Sequence, residues 1–170
     1  MVKTTSQQAA ILQVMGSPTT YGLANQTIER IDTHASVVFL AGDKAYKIKK
    51  EVKYPFLDFS NLEKRRLALV NELRPNRRTA PQIYLDLIPI TSTKGGDVRL
   101  GGTGKIIEWA LCMRRFDQDR LYDRMAAEGR LPLASMPNLV AKIAVLHRGA
   151  DRTLTPEQAV LPLGRIIEDN

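Results

Sequence analysis

The 170-residue chain reads as an α+β protein with a mostly antiparallel sheet, and three features of the sequence predict this. Val37 to Ala41 is an apolar run and Lys44 to Lys50 an alternating one, joined by Gly42-Asp43, the pattern of a β-hairpin. Ser60 to Arg74 carries helical spacing, with Leu62, Leu69 and Leu73 on one line and Val70 beside them at about 100° per residue. Further strand-like runs separated by glycine-rich turns follow, and beyond Phe116 the pattern becomes helical.

In chain order, Ser6 to Met15 is expected to form a short helix stopped by Gly16-Ser17-Pro18. Thr27 to Asp32 reads as a strand, and Thr33-His34-Ala35-Ser36 links it to the hairpin. Pro55 and the polar cluster around Asp58 and Ser60 mark a break. Ser60 and Glu63 have capping-box spacing, opening a helix expected to end at Pro75. Gln82 to Ile90 is a strand whose Pro89 suits an edge or a strand end. Val98 to Leu100 is a short strand and Lys105 to Met113 a longer buried one. Helices are expected from Asp119 to Glu128 and from Pro137 to Arg148.

Composition narrows the function classes. Hydrophobic residues make up 44% and charged residues 25%, ordinary values for a globular protein. No apolar run is long enough to span a membrane, and the N-terminal residues lack a secretory layout. Cys112 is the only cysteine, which excludes a disulfide framework and a cysteine zinc site. A cytoplasmic protein is the expectation. The net charge of +7, concentrated between Lys44 and Arg78, suggests an anionic partner.

The hairpin is where that charge meets a pocket-like pattern. Alternation puts Ala45 and Lys47 on one face of the strand and Tyr46 and Ile48 on the other. A small side chain beside an inward lysine leaves room for a base and offers an ammonium to phosphate oxygens. Lys49 points the same way and is the rival, with the Ala-x-Lys spacing favouring Lys47. Packed stripe-down on the sheet, the following helix brings Glu72 towards Lys47, and a half-buried ammonium needs such a partner.

Thr33 to Lys50, Pro55 to Ser60, Glu72 to Arg78, Ala80 to Leu85 and Glu108 to Phe116 together resemble the kinase-like domain of a bacterial family. Its members are described as bifunctional aminoglycoside phosphotransferase/ATP-binding proteins. The resemblance covers roughly residues 17–150. It implies a protein-kinase-like N-lobe over 1–116, a five-stranded, mostly antiparallel sheet with one packed helix, followed at 117–170 by the first helices of an incomplete C-lobe. It further implies Lys47 as the nucleotide-phosphate lysine and Glu72 as its ion-pair partner. Thr33, His34 and Ser36 would belong to a glycine-free loop over the phosphates, Ala45 would face the base, and Met113 to Arg115 would form a hinge whose backbone faces adenine. The implied cofactors are ATP and Mg, with the metal ligands outside this chain; the implied second substrate is a small-molecule phosphate acceptor.

Phosphoryl transfer also needs an aspartate to position the acceptor hydroxyl, and an asparagine and a further aspartate for metal. The His-x-Asp signature with Asn five residues beyond the Asp is absent. His147 reads as a core or capping histidine, Asp58-Phe59-Ser60 as a turn and cap, and Gly101 to Lys105 as a hairpin turn. The chain is therefore expected to be a truncated or split piece, inactive alone. Leu139, Val140, Ile143 and Leu146 would form an apolar patch that favours self-association. The competing classes are a pseudokinase-like scaffold and a basic module binding nucleic acid or an acidic partner. An aromatic content of 6% disfavours nucleic acid, because few stacking platforms interleave with the basic residues.

Overall fold

The computed structural model describes residues 6–150 together with 155, 158 and 160. The chain separates into two compact units, Met1–Gly129 and Arg130–Asn170. The expected boundary at 116/117 falls inside the first.

The first unit is an α+β structure built on a six-stranded antiparallel sheet. Its helices are α1 (Ser6–Met15), α2 (Leu62–Thr79) and the short α3 (Tyr122–Ala127). Its strands are β1 (Glu29–Asp32), β2 (Ser36–Ala41), β3 (Lys44–Lys49), β4 (Lys53–Tyr54), β5 (Leu57–Asp58), β6 (Tyr84–Ser92), β7 (Val98–Leu100) and β8 (Lys105–Arg114). The sheet order is β1-β2-β3-β8-β6-β7, and β4 and β5 form a separate ribbon. There are six strands rather than five because β7 joins the edge through Thr91–Arg99 and Ser92–Val98.

Helices cover both faces, where one packed helix was expected. Ile11, Leu12 and Met15 of α1 join Val37, Phe39, Tyr46, Ile48, Ile90, Ala110 and Cys112 in the larger core. On the other face, Leu69 and Leu73 of α2 close on Leu111, with Tyr84, Leu87, Trp109 and Met113 packed around them. Burying each such leucine contributes on the order of 2 kcal/mol.

Local chemistry explains where the element ends moved. The β2–β3 turn works because Gly42 takes φ 58° while Asp43, like every described non-glycine residue, does not have a positive φ, the signature of a II′ hairpin with glycine first. The capping box at Ser60 does not form. Asn61 caps α2, its side chain accepting from Lys64 N at 2.9 Å, while the Ser60 hydroxyl donates to Asp58 and Glu63 pairs with Arg66. Nor does α2 end at Pro75. It continues to Thr79, with the Asn76 side chain donating to Glu72 O at 2.6 Å and Arg77 tied to Tyr84 O, contacts that hold the turn after the proline.

Pro89 sits inside β6, but its carbonyl accepts from Gly101 N, so this side of the residue faces away from β8. The missing N–H therefore leaves the main ladder intact. The helix expected from Asp119 breaks at Leu121, which is extended (φ −67°, ψ 134°), leaving a 3-10 turn at Gln118–Arg120 before α3.

In the second unit, α4 spans Met136–Arg148. Its Leu139, Val140, Ile143 and Val145 are exposed. His147 is also exposed in the last turn, so its core reading is ruled out and a place at the negative helix end remains. Among the described residues, no helix is long and apolar enough to cross a membrane.

Candidate functional site

Strand register assembles one face of the sheet. Directly paired residues share a face, so Glu29, Leu40, Ala45, Met113 and Tyr84 form one row and Ile31, Val38, Lys47, Leu111 and Leu87 the next. Ser36 and Lys49 extend it by one more pair. This is the face on which α2 lies, because Leu111 is the residue its leucines cover.

The helix delivers Glu72 onto that face. Lys47 Nζ donates to Glu72 Oε1 at 2.6 Å and Lys49 Nζ to Oε2 at 2.7 Å. Two cations thus share one carboxylate and the cluster keeps a net positive charge. Burial pushes the Glu72 carboxyl up, but hydrogen bonds from Lys47 and then Lys49 outweigh it and hold the group below its usual range. The two lysines differ in access. The Lys47 side chain is 25% exposed and Lys49 only 11%, and the Lys49 ammonium stands over the Phe59 ring at 5.4 Å. Lys47 is the ammonium a ligand can reach.

Ala45 is buried beside Lys47, and Met113 is half-buried against the α2 leucines. A cavity of 790 Å³ opens at the same end of the face, lined by residues that include Ile31, Leu40, Arg115, Phe116 and Asp117. Its size suits a small-molecule ligand. Of the residues singled out in the sequence, Arg115 lines it; Ala45, Lys47 and Met113 do not. The Met113–Arg115 backbone expected to face adenine is engaged within the protein. Met113 is held in the sheet, Arg114 N–H donates to Ile83 O and Arg115 N–H to Asp43 O. Phe116 is the first residue whose N–H and C=O have no protein partner among the described residues.

The loop Thr33–Ser36 lies at the other end of the face, its Ser36 two residue pairs beyond Lys47, about 7 Å at 3.3 Å per residue. Thr33 and Ser36 are used in closing the turn: Thr33 N–H and Oγ1 both donate to Ser36 O, and Ser36 N–H donates back to Thr33 Oγ1. Ser36 is also buried. The tip is the exposed His34 and the half-buried Ala35, whose N–H groups have no protein partner among the described residues. Lys50 holds the neck, donating to Thr33 O at 2.7 Å and pairing with Asp32 at 2.9 Å.

The lookalike motifs behave as turns. Asp58 accepts from Ser60 N–H and Oγ and pairs with Lys64. Gly101 to Gly104 connects β7 to β8, and Gly104 packs so closely on Ser92 that an added Cβ would clash with its carbonyl oxygen.

A buried polar junction that the sequence reading lacks is centred on Glu108. Glu108 is fully buried in β8; Arg65 Nε donates to its Oε2 at 2.8 Å and Gln8 Nε2 donates to the same oxygen at 3.1 Å. Arg65 also donates to Phe59 O, and Gln8 bonds both Lys49 O and Glu51 N–H. Burial pushes the Glu108 carboxyl up more strongly than the Arg65 hydrogen bond lowers it. The signal was present. A lone glutamate in Ile106-Ile107-Glu108-Trp109-Ala110 demands a partner, and Arg65 lies on the Leu69-Leu73 line.

No family model matches the chain, and no solved structure matches it. Over 123 residues, 71% of this chain, it is 35% identical to uncharacterized proteins of Mycobacterium tuberculosis and Mycobacterium bovis. It spans about a fifth of the length of these curated relatives, 22% of each.

Proposed function

We propose that the sheet-bearing unit is a kinase-like N-lobe that binds ATP and belongs to a small-molecule phosphotransferase of the cytoplasm. The observation that carries this reading is the Lys47–Glu72 contact at 2.6 Å, on the same sheet face as the small Ala45. Three further features support it. The cavity at the Leu40 end has unpartnered backbone groups at Phe116, suited to the edge of a purine. The loop at the opposite end offers unpartnered N–H groups at His34 and Ala35, suited to phosphate oxygens. Between them, two ammoniums sharing one carboxylate favour an added anion.

In this reading Glu72 orients Lys47, and Lys47 binds the nucleotide phosphates. Magnesium would supply charge neutralisation on those phosphates when bound. The residues of this cluster do not fit it, because both oxygens of Glu72 are taken by ammoniums. The acceptor hydroxyl and its aspartate are likewise no part of the cluster, so the 170-residue chain is expected to bind nucleotide without transferring phosphate at a meaningful rate.

Thermal unfolding tests the assignment. MgATP at a hundredfold excess over its Kd stabilises by about 2.7 kcal/mol, raising Tm by about 5–10 °C in a chain of this size. Lys47→Ala is expected to abolish the shift. A shift that survives Lys47→Ala but vanishes with added salt would instead indicate a basic surface binding any polyanion. No shift in either protein would leave the scaffold reading.

A further inference from the structure

Beyond the ion pair itself, we propose that Gln8, Glu108 and Arg65 are positioning residues that set where α2 presents Glu72 to Lys47 and Lys49. The contacts close a ring through four elements. Arg65 of α2 donates to Glu108 of β8, Gln8 of α1 donates to the same carboxylate and to Lys49 O of β3, and the Lys49 ammonium returns to Glu72 of α2. Arg65 and Glu72 are seven residues apart, two helical turns or about 10.5 Å along the axis, and point to the same side. The helix is therefore pinned at two points on one line. One pin is buried, with Gln8, Arg65 and Glu108 at 2%, 6% and 0% exposure; the other is the ligand-facing cluster.

Gln8 is the joint between the two. Its carboxamide donates once to Glu108 and once to the Lys49 carbonyl, and accepts from Glu51 N–H. A displacement of α1 along the sheet therefore acts on the strand that carries both lysines and on the carboxylate that holds α2. Buried polar networks of this kind specify one packing, since any slip leaves groups unsatisfied in a dry interior. The geometric claim stands on contacts alone; its consequence for ATP rests on the reading of the preceding subsection.

Two variants cut the ring at different nodes: Glu108→Gln, which keeps the shape, and Gln8→Met, which keeps the length without the hydrogen bonds. Ile11→Ala, in the apolar core on α1, is the control for general loss of stability. The readout is the titration of the Glu72 carboxyl followed by 13C NMR, together with Tm and MgATP affinity. Both ring variants are expected to move the Glu72 midpoint upward, towards that of a free glutamate, and to weaken MgATP about 3- to 30-fold, the range of coupling carried through packed networks. The sign is diagnostic for Glu108→Gln, because merely removing a nearby negative charge would move the midpoint down. Ile11→Ala is expected to lower Tm and leave the midpoint in place. If the ring variants lower Tm while Glu72 titrates as in the wild type, the junction only stabilises the core and the proposal is wrong. Should Gln8→Met not fold, Glu108→Gln decides the matter. If wild type binds no MgATP, the nucleotide reading fails and the Glu72 titration still judges the ring.

Discussion

The Arg65–Glu108 pair sets up a double-mutant cycle whose outcome follows from its distance and burial. The charges are 2.8 Å apart and almost wholly out of water. At an effective dielectric constant near 20, their attraction is about 6 kcal/mol. Desolvation opposes it, which makes the intact pair nearly neutral against an apolar replacement, but removing one partner strands the other. Arg65→Met leaves Glu108 with only Gln8 and the Trp109 N–H; Glu108→Leu leaves the guanidinium with the Phe59 carbonyl. Each single change is expected to cost about 3–5 kcal/mol. The Arg65→Met/Glu108→Leu double variant should cost far less than the sum, so the coupling energy is expected to exceed about 2 kcal/mol. Urea unfolding monitored by circular dichroism gives all four corners, provided the m-values agree. Single variants within about 1 kcal/mol of wild type, with additive effects, would refute the view that the pair is buried and mutually dependent.

Two shorter predictions follow from named contacts. The Glu72 carboxyl lies below its usual range, so the stability it contributes is present above the unfolded-state value of 4.5 and is lost as pH falls through the lower folded value. The stability difference between wild type and Glu72→Gln should therefore hold steady near neutral pH and shrink on acidification, which urea titrations at a series of pH values will show. Asn61→Ala should cost about 1 kcal/mol through loss of the α2 cap, clearly more than Ser60→Ala, in thermal or urea unfolding.

How far the sequence reaches is clearest residue by residue. Alternation across Ala45 to Lys49 and the helical line of leucines were enough to bring Lys47 and Glu72 to one face, because both periodicities are local and register followed from the Gly42 turn. The same alternation puts Lys47 and Lys49 on one face, and in the sequence only the Ala-x-Lys spacing favours Lys47. Glu72 bonds both, and only the crowding by Phe59 separates them. The capping box failed because Asn61, one residue on, competes for the same role and Asp58 captures Ser60. Pro75 reads as a stop because the sequence does not reveal the Asn76 and Arg77 contacts that carry the helix past it. The Gln8–Arg65–Glu108 junction joins residues up to 100 positions apart, and no window along the chain brings them together.

Cys112 sits at 3% exposure in the larger core, on the strand between β3 and β6, and burial pushes its thiol pKa up. Its side chain lies on the sheet face packed against α1, so reagent reaches the sulfur when that core opens. Its rate of alkylation under native conditions is therefore a clock for opening of the larger core, read without an engineered label and uncomplicated by a second thiol.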